Sequence, residues 1–125
     1  DEFLTALLIP TQHKGAVAVY MKQSPRRAMD LAVVGVGVLL AREGNGLQAR
    51  IALGAVAPTP LRAVQAERLL ERAIELEGDV ISRAAELAAQ EVAPISDVRA
   101  SAEYRREMVR ALTERAVRQL AASFG

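Results

Sequence analysis

The composition changes sharply at Pro58–Pro60, and this change limits the fold more than any other feature of the chain. Before it, the apolar residues are mostly Val, Leu, Ile and Gly, and after it they are mostly Ala and Leu between Glu and Arg. The first set favours strands and the second favours helices. Strands grouped before helices predict an α+β domain, with an antiparallel sheet of three to four strands and three helices packed on one face.

Four segments have strand character. The third is a long apolar run, which is typical of a strand buried on both faces. It is followed by a tight turn, Glu43-Gly44-Asn45-Gly46, which predicts a hairpin to the fourth. The four predicted strands are Phe3 to Ile9, Gly15 to Gln23, Leu31 to Ala41 and Gln48 to Leu53.

Three helices are predicted after the change in composition. Thr59 can cap the first, with Pro60 at its first position, and the helix extends to about Glu75. Asp79 can cap the second, which reaches about Val92, and Ser96 or Asp97 begins the third. The apolar spacing predicts two buried stripes: Leu61, Val64, Leu69 and Ala73 in the first helix, and Tyr104, Met108, Ala111, Leu112, Ala116 and Leu120 in the third.

Charge and composition exclude several functional classes. Lys and Arg number 16 against 15 Asp and Glu, with no basic stripe, which argues against nucleic-acid binding. Cysteine is absent, so the chain itself can supply no thiolate ligand to zinc or an iron–sulfur cluster. No apolar run reaches the roughly 20 residues of a membrane span. The chain begins Asp-Glu-Phe-Leu without an initiator Met, so we expect it to be cut from something longer.

Candidate catalytic residues are scarce. The single histidine, His13, lies in a predicted polar loop and has no second ligand nearby. Glu67, Glu71 and Glu75 follow a four-residue step, which we assign to a solvent-facing side of the first helix. Gly35-Val36-Gly37 lacks the third glycine of a dinucleotide fingerprint. The sequence therefore predicts no catalytic and no metal-binding residue in this chain.

Two charged stretches allow both a structural and a functional interpretation. In the segment Tyr20 to Asp30, a lysine at a strand end precedes two arginines and an aspartate at a corner. These groups either dock a phosphate or an acidic partner, or form a solvated corner held by an Asp–Arg pair. In the segment Asp97 to Arg106, Asp97 is suited to the positive end of a helix and to pairing with an arginine.

These stretches carry a family resemblance. Lys22 to Ala32 resembles the "K…R…MD-I-A" segment of molybdenum-hydroxylase flavoprotein subunits. Ala52 to Ala63 is similar to the family's "G-x-x-A-P-T-P-x-R-A" turn, and Glu67-Arg68-Leu69-Leu70 to its "A-E-x-L" helix. Ile95 to Arg106 resembles "I-S-D-x-R-A-S-A-E-Y-R". The motifs occur in family order and cover essentially the whole chain, which is identified as the C-terminal domain of the FAD-binding (medium) subunit.

The resemblance implies a cytoplasmic dehydrogenase of the carbon monoxide, xanthine, aldehyde or N-heterocycle type. It implies a molybdopterin-binding large subunit, a 2Fe-2S small subunit, and FAD held mainly by an N-terminal domain of the same polypeptide, absent from this chain. Residues 1–125 would then form a single non-catalytic domain that closes the flavin site. Lys22 matches a lysine that reaches the flavin, and Leu4 an apolar contact. The alternative is a docking domain without cofactor contact, acting through the helical layer or the exposed sheet face.

Overall fold

The computed structural model describes residues 2–11, 14–26 and 30–124, with the side chain of residue 124 left out. Its strands form one antiparallel sheet in the order β1-β2-β3-β4, and its helices follow. The predicted α+β architecture is confirmed. The elements are β1 Val17–Gln23, β2 Val34–Glu43, β3 Gly46–Gly54, β4 Leu61–Arg62, α1 Val64–Arg72, α2 Gly78–Gln90 and α3 Ala102–Phe124.

The core lies between one face of the sheet and the helices. Alternate side chains of β2 and β3 point into it, as the two-residue period of a strand requires. They meet small and branched residues of the helices, and Leu40, Ile51 and Leu53 are among the largest side chains that are fully enclosed. The helical contribution is Ala66, Leu70, Ile81, Ala84, Ala88, Val109, Leu112, Ala116, Val117 and Leu120.

The strands at the centre of the sheet confirm the predictions. The second, third and fourth predicted segments correspond to β1, β2 and β3, and the tight turn between β2 and β3 lies where the sequence placed it. Gly44 adopts a φ of 59° in this turn, a conformation that a residue without a Cβ takes at little cost.

The prediction of a strand from Phe3 to Ile9 is wrong. Residues 2–11 form no regular element, and their side chains are exposed. A strand needs a partner for its main-chain groups. The fourth strand of the sheet is instead the two-residue β4, which pairs with Ala52 and Leu53 of β3.

The predicted start of the first helix is also wrong. Leu61 and Arg62 pair with β3, and α1 begins only at Val64. The N–H of Ala63 donates to the carbonyl of Ile51, which holds the chain along the sheet for three residues beyond Pro60. The buried stripe shifts accordingly: it consists of Ala66, Glu67 and Leu70, whereas Val64 is 40% exposed.

The third helix begins later than predicted. α3 starts at Ala102, and the hydroxyl of Ser101 accepts a hydrogen bond from the N–H of Tyr104, as an N-cap does. Of the predicted stripe, Leu112, Ala116 and Leu120 are buried but Tyr104 is 42% exposed. The buried face lies one position further on and adds Arg105, Val109, Thr113 and Val117.

Candidate functional site

The sheet has an outer face that none of the described helices covers. Side chains alternate along the strands, so the residues between the core positions point away from the helices. Opposite partners fall into rows across this face: Lys22 pairs with Gly35, and Tyr20 with Gly37, which in turn pairs with Ala52. We use "outer face" for Ala18, Tyr20, Lys22, Gly35, Gly37, Leu39, Arg50, Ala52 and Gly54.

Lys22 lies at one end of this face, in the penultimate position of β1. Its ammonium group is exposed and donates a hydrogen bond to the main-chain carbonyl of Asp30, at 3.1 Å. The Asp30 carboxylate accepts from the N–H of Leu31, at 3.1 Å, so it stabilises its own turn. Lys22 thus presents its positive charge at the edge of the sheet. The second arginine of this corner, Arg27, lies outside the described residues.

A buried arginine fixes the end of the sheet beside Lys22. Arg105 is 3% exposed, and its guanidinium donates to the carbonyls of Val33, at 2.6 Å, and Ala55, at 3.2 Å. Val33 in turn donates its N–H to the carbonyl of Gln23, at 2.8 Å. The Gln23 side chain donates to the Tyr104 hydroxyl at 3.3 Å. The start of α3 therefore holds the strand ends from which Lys22 projects.

Asp97 orients that arginine. Its carboxylate accepts from Arg105 at 2.7 Å and from the side chain of Arg99 at 2.9 Å. It also accepts the main-chain N–H groups of Arg99 and Ala100. These bonds hold the pKa of Asp97 well below its usual value, the N–H of Arg99 contributing most. The predicted pairing with an arginine is confirmed, but Asp97 closes a turn ahead of α3 and does not cap the helix.

Carboxylates of α1 accept hydrogen bonds from main-chain N–H groups of β3. Glu67 is 3% exposed; it accepts the N–H of Ile51 at 2.7 Å and binds the Arg62 guanidinium through both oxygens. The bond to Glu67 raises the pKa of Arg62. Glu71 accepts the N–H of Ala49 at 3.2 Å and pairs with Arg50. The prediction that these glutamates face solvent is wrong for Glu67, because β4 is too short to pair with all of β3.

Tyr20 dominates the middle of the outer face. Its side chain is 64% exposed, and its ring lies over Gly35 and Gly37. A Cβ at Gly35 would stand 2.5 Å from the Tyr20 hydroxyl, so the glycine allows the ring to lie flat on the sheet. The hydroxyl therefore lies beside Gly35, which is the cross-strand partner of Lys22. Glycines within a strand are a sequence signal for close approach by another group, although the sequence does not identify the tyrosine.

The N-terminal segment places apolar side chains in solvent. Leu4 is 81% exposed, and four other apolar residues of the segment are exposed to a similar degree: Phe3, Leu7, Leu8 and Ile9. Within residues 2–11, 14–26 and 30–124, no three His, Cys, Asp or Glu side chains converge as a metal site would require. His13 lies outside these ranges. None of the described helices combines the length and the apolar character that crossing a membrane requires.

The comparisons with known proteins agree with one another. The family model described as "CO dehydrogenase flavoprotein C-terminal domain" matches residues 19–120. The xanthine dehydrogenase FAD-binding subunit of Escherichia coli O157:H7 is 33% identical over 127 aligned positions, covering 100% of this chain and 43% of the relative. The carbon monoxide dehydrogenase medium chain of Afipia carboxidovorans is 37% identical over 117 positions, covering 93% of this chain and 40% of the relative.

The fold matches solved structures as well. A chain of the cyanide-inactivated Cu,Mo-CO dehydrogenase superposes with a TM-score of 0.80 at 35% identity, covering 91% of this chain and 40% of that one. The α+β arrangement is therefore that of a domain of this dehydrogenase. The chain belongs to the CO dehydrogenase flavoprotein C-terminal domain family. It spans about two fifths of the length of the relatives it matches.

Proposed function

We propose that this chain is the C-terminal domain of the FAD-binding subunit of a molybdenum hydroxylase and closes the flavin site. Family membership supports this, together with the names of its relatives, which include an FAD-binding subunit and a medium chain. The proposal includes an N-terminal portion of the same polypeptide that binds most of the FAD. The domain alone performs no catalysis and contributes to electron transfer only within the assembled enzyme.

The residues of the outer face suit one wall of a flavin site. A planar ring needs a flat apolar surface, and the Tyr20 ring that lies over Gly35 and Gly37, with Ala52 beside it, offers one. FAD, when bound, accepts electrons and passes them on. Lys22 adds a cation at the end of that surface, where it favours negative charge on a neighbouring ring.

The fixed position of Lys22 is the observation that carries the proposal. Its ammonium donates a hydrogen bond to the main-chain carbonyl of Asp30, a neutral acceptor, which positions the positive charge at the end of the strand. Arg105 fixes the adjacent strand ends from within the core. A cation placed in this way needs little reorganisation to act on a group beside it. Leu4, exposed and ahead of β1, is proposed as a second and apolar contact to FAD.

The proposal extends to partners and location. A molybdopterin-binding large subunit and a 2Fe-2S small subunit would supply electrons to the flavin, and the assembly would be cytoplasmic. Supporting this, a matched structure is a Cu,Mo-CO dehydrogenase and two relatives are named as a subunit and a medium chain of dehydrogenases.

A docking domain without cofactor contact is the second candidate function. The apolar character of the outer face favours it, since a face exposed to water would carry more polar residues. The two functions can coexist. They differ in the effect of changes at Lys22, which alter the flavin in one case and only assembly in the other.

The deciding experiment is made on the full-length subunit that contains this chain, purified with its cofactor. We expect Lys22→Ala to lower the flavin midpoint potential and to weaken FAD binding, because a cation near the ring is lost. The flavin spectrum, a potentiometric titration and FAD release on dilution measure both. Lys22→Arg, which keeps the charge, should retain most of the wild-type potential.

Lys14→Ala provides the matched control, because Lys14 is an exposed lysine ahead of β1. It should leave the potential and the FAD content unchanged. If Lys22→Ala behaves like this control while the subunit remains folded, Lys22 is a surface charge and the flavin role of this site is refuted. A folded full-length protein that is colourless and takes up no FAD would leave only the docking function.

A further inference from the structure

Arg105 connects the ends of three strands. Its Nη1 donates to the carbonyl of Val33, the residue before β2, at 2.6 Å, and to that of Ala55, the residue after β3, at 3.2 Å. The N–H of Val33 in turn donates to the carbonyl of Gln23, the last residue of β1, at 2.8 Å. One guanidinium in the core therefore fixes the end of the sheet at which Lys22 lies.

Consecutive residues of α3 hold both ends of the link between β1 and β2. The side chain of the last residue of β1 donates to the Tyr104 hydroxyl at 3.3 Å, and the carbonyl of Val33 accepts from Arg105. Asp30, whose carbonyl accepts the hydrogen bond of the Lys22 ammonium at 3.1 Å, lies three residues before Val33 in this link. The acceptor that positions Lys22 therefore belongs to a link that is attached to the start of α3.

Stability alone gives no reason for an arginine at position 105. Arg105 is 3% exposed, and its carboxylate partner, Asp97, is 20% exposed. Removing a guanidinium from water is costly, and well-packed apolar residues are often as stable as a buried ion pair. An apolar residue cannot supply what the guanidinium does, a planar set of donors that holds main-chain carbonyls in defined directions. The arginine therefore contributes geometry that an apolar side chain would lack.

The main chain at Ala55 also points to a role in position. Ala55 has a φ of 63°, in the left-handed region that residues with a Cβ adopt uncommonly. Such conformations persist only where the surrounding structure fixes them, and they cluster at functional sites. The carbonyl of this residue is one of the two that Arg105 holds. Arg105 thus stabilises a backbone conformation at the sheet end that an alanine would otherwise avoid.

We infer that Arg105, oriented by Asp97, is a positioning residue for Lys22 and thereby helps to set the midpoint potential of the flavin. This inference rests on the proposed function, in which Lys22 acts on the flavin. Arg105 is buried and acts through the main chain of Val33 and through the link that carries Asp30. A cation that moves over a wider range spends less time beside the ring, so it stabilises negative charge there less.

Arg105→Lys in the full-length subunit, purified with its cofactor, tests this inference by potentiometric titration. The variant keeps the buried positive charge but loses the planar fork, so the contacts to Val33 and Ala55 weaken while the charge itself is unchanged. We expect the flavin midpoint potential to fall by about half or more of the change that Lys22→Ala causes. The double variant Lys22→Ala/Arg105→Lys should have the potential of Lys22→Ala alone, because Arg105 acts through Lys22.

Glu67→Gln is the control for a general loss of stability. It alters another buried charged side chain, which accepts the N–H of Ile51 in the middle of β3 and does not contact the sheet end. The flavin potential of this variant should equal that of the wild type. Hydrogen exchange followed by mass spectrometry is measured on both variants. The peptide that contains Leu31 and Val33 should exchange about tenfold faster or more in Arg105→Lys, and at the wild-type rate in the control.

An unchanged potential in Arg105→Lys, beside a lowered one in Lys22→Ala, would overturn this inference and leave the proposed function intact. A further fall in the double variant would also overturn it, since Arg105 would then act on the flavin without Lys22. Unchanged exchange at Val33 would show that the sheet end is held without Arg105. A Lys22→Ala variant with the wild-type potential would refute the proposed function instead.

Asp97→Asn replaces Arg105→Lys if that variant fails to fold. It keeps the size of the side chain and removes the carboxylate that orients Arg105. Loss of a negative charge would by itself raise the flavin potential, so a fall in the potential identifies the effect on the position of Lys22. A rise or no change in Asp97→Asn would overturn the inference.

Discussion

Glu67 should contribute strongly to the stability of this domain although it is a charged residue. It is 3% exposed and accepts the N–H of Ile51, which is itself completely buried. In Glu67→Ala the donor of Ile51 loses its acceptor, which costs about 1–3 kcal/mol. Arg62 is half exposed and returns to water, so its contribution is about 1 kcal/mol or less. We expect a total loss of about 2–3 kcal/mol in the free energy of unfolding.

Urea denaturation followed by circular dichroism at 222 nm measures this loss, because the chain contains no Trp and only two Tyr. The midpoint should fall while the slope with urea stays constant. Glu67→Gln keeps the volume and an acceptor oxygen but turns an amide toward Arg62, so it should cost about 1–2 kcal/mol.

Glu71→Ala is the matched control, since Glu71 lies four residues later on α1 and also accepts an N–H of β3. Its carboxylate is 30% exposed, so water can replace it and the cost should be about 1 kcal/mol. If Glu67→Ala cost no more than Glu71→Ala, water would satisfy Ile51 equally well, and the role given to the buried carboxylate would be refuted.

Two further predictions concern the start of α3. Because the folded pKa of Asp97 lies below its unfolded value, its contribution to stability is complete above about pH 4 and is lost at lower pH. Acid titration of urea midpoints should therefore be flatter in Asp97→Asn, and an unchanged slope would contradict this. Ser101→Ala removes the cap to Tyr104 and should cost about 1 kcal/mol by the same denaturation assay, whereas Ser123→Ala, near the far end of α3, should cost less.

Much of the fold was predictable because its signals are local. β1, β2 and β3 follow from apolar runs and a glycine turn, and α2 from its Ala-rich composition, although its N-cap is Glu77 and the predicted cap, Asp79, lies in its first turn. The segment from Phe3 to Ile9 has equally strong strand character, yet it forms no strand. Its apolar composition favours burial, but composition alone cannot specify which strand would pair with it.

The candidate site, too, was only partly predictable from the sequence. The position of Lys22 at the end of a strand follows from the sequence, and so does the pairing of Asp97 with an arginine. That the arginine within the core is Arg105, bonded to carbonyls of Val33 and Ala55, depends on contacts between residues far apart in the chain. The buried position of Glu67 likewise depends on the shortness of β4, which leaves N–H groups of β3 without a strand partner.

The sequence by itself determined that strands precede helices, the family, and the apolar character of both faces of β2. These properties reside in composition and in short-range spacing, which the chain carries whether or not it is folded. Tertiary structure decided which charged residues are buried and which face of the sheet stays open. Burial of Glu67 and Arg105 is favourable only where main-chain groups from distant segments meet them, because a charge without such partners would remain in water.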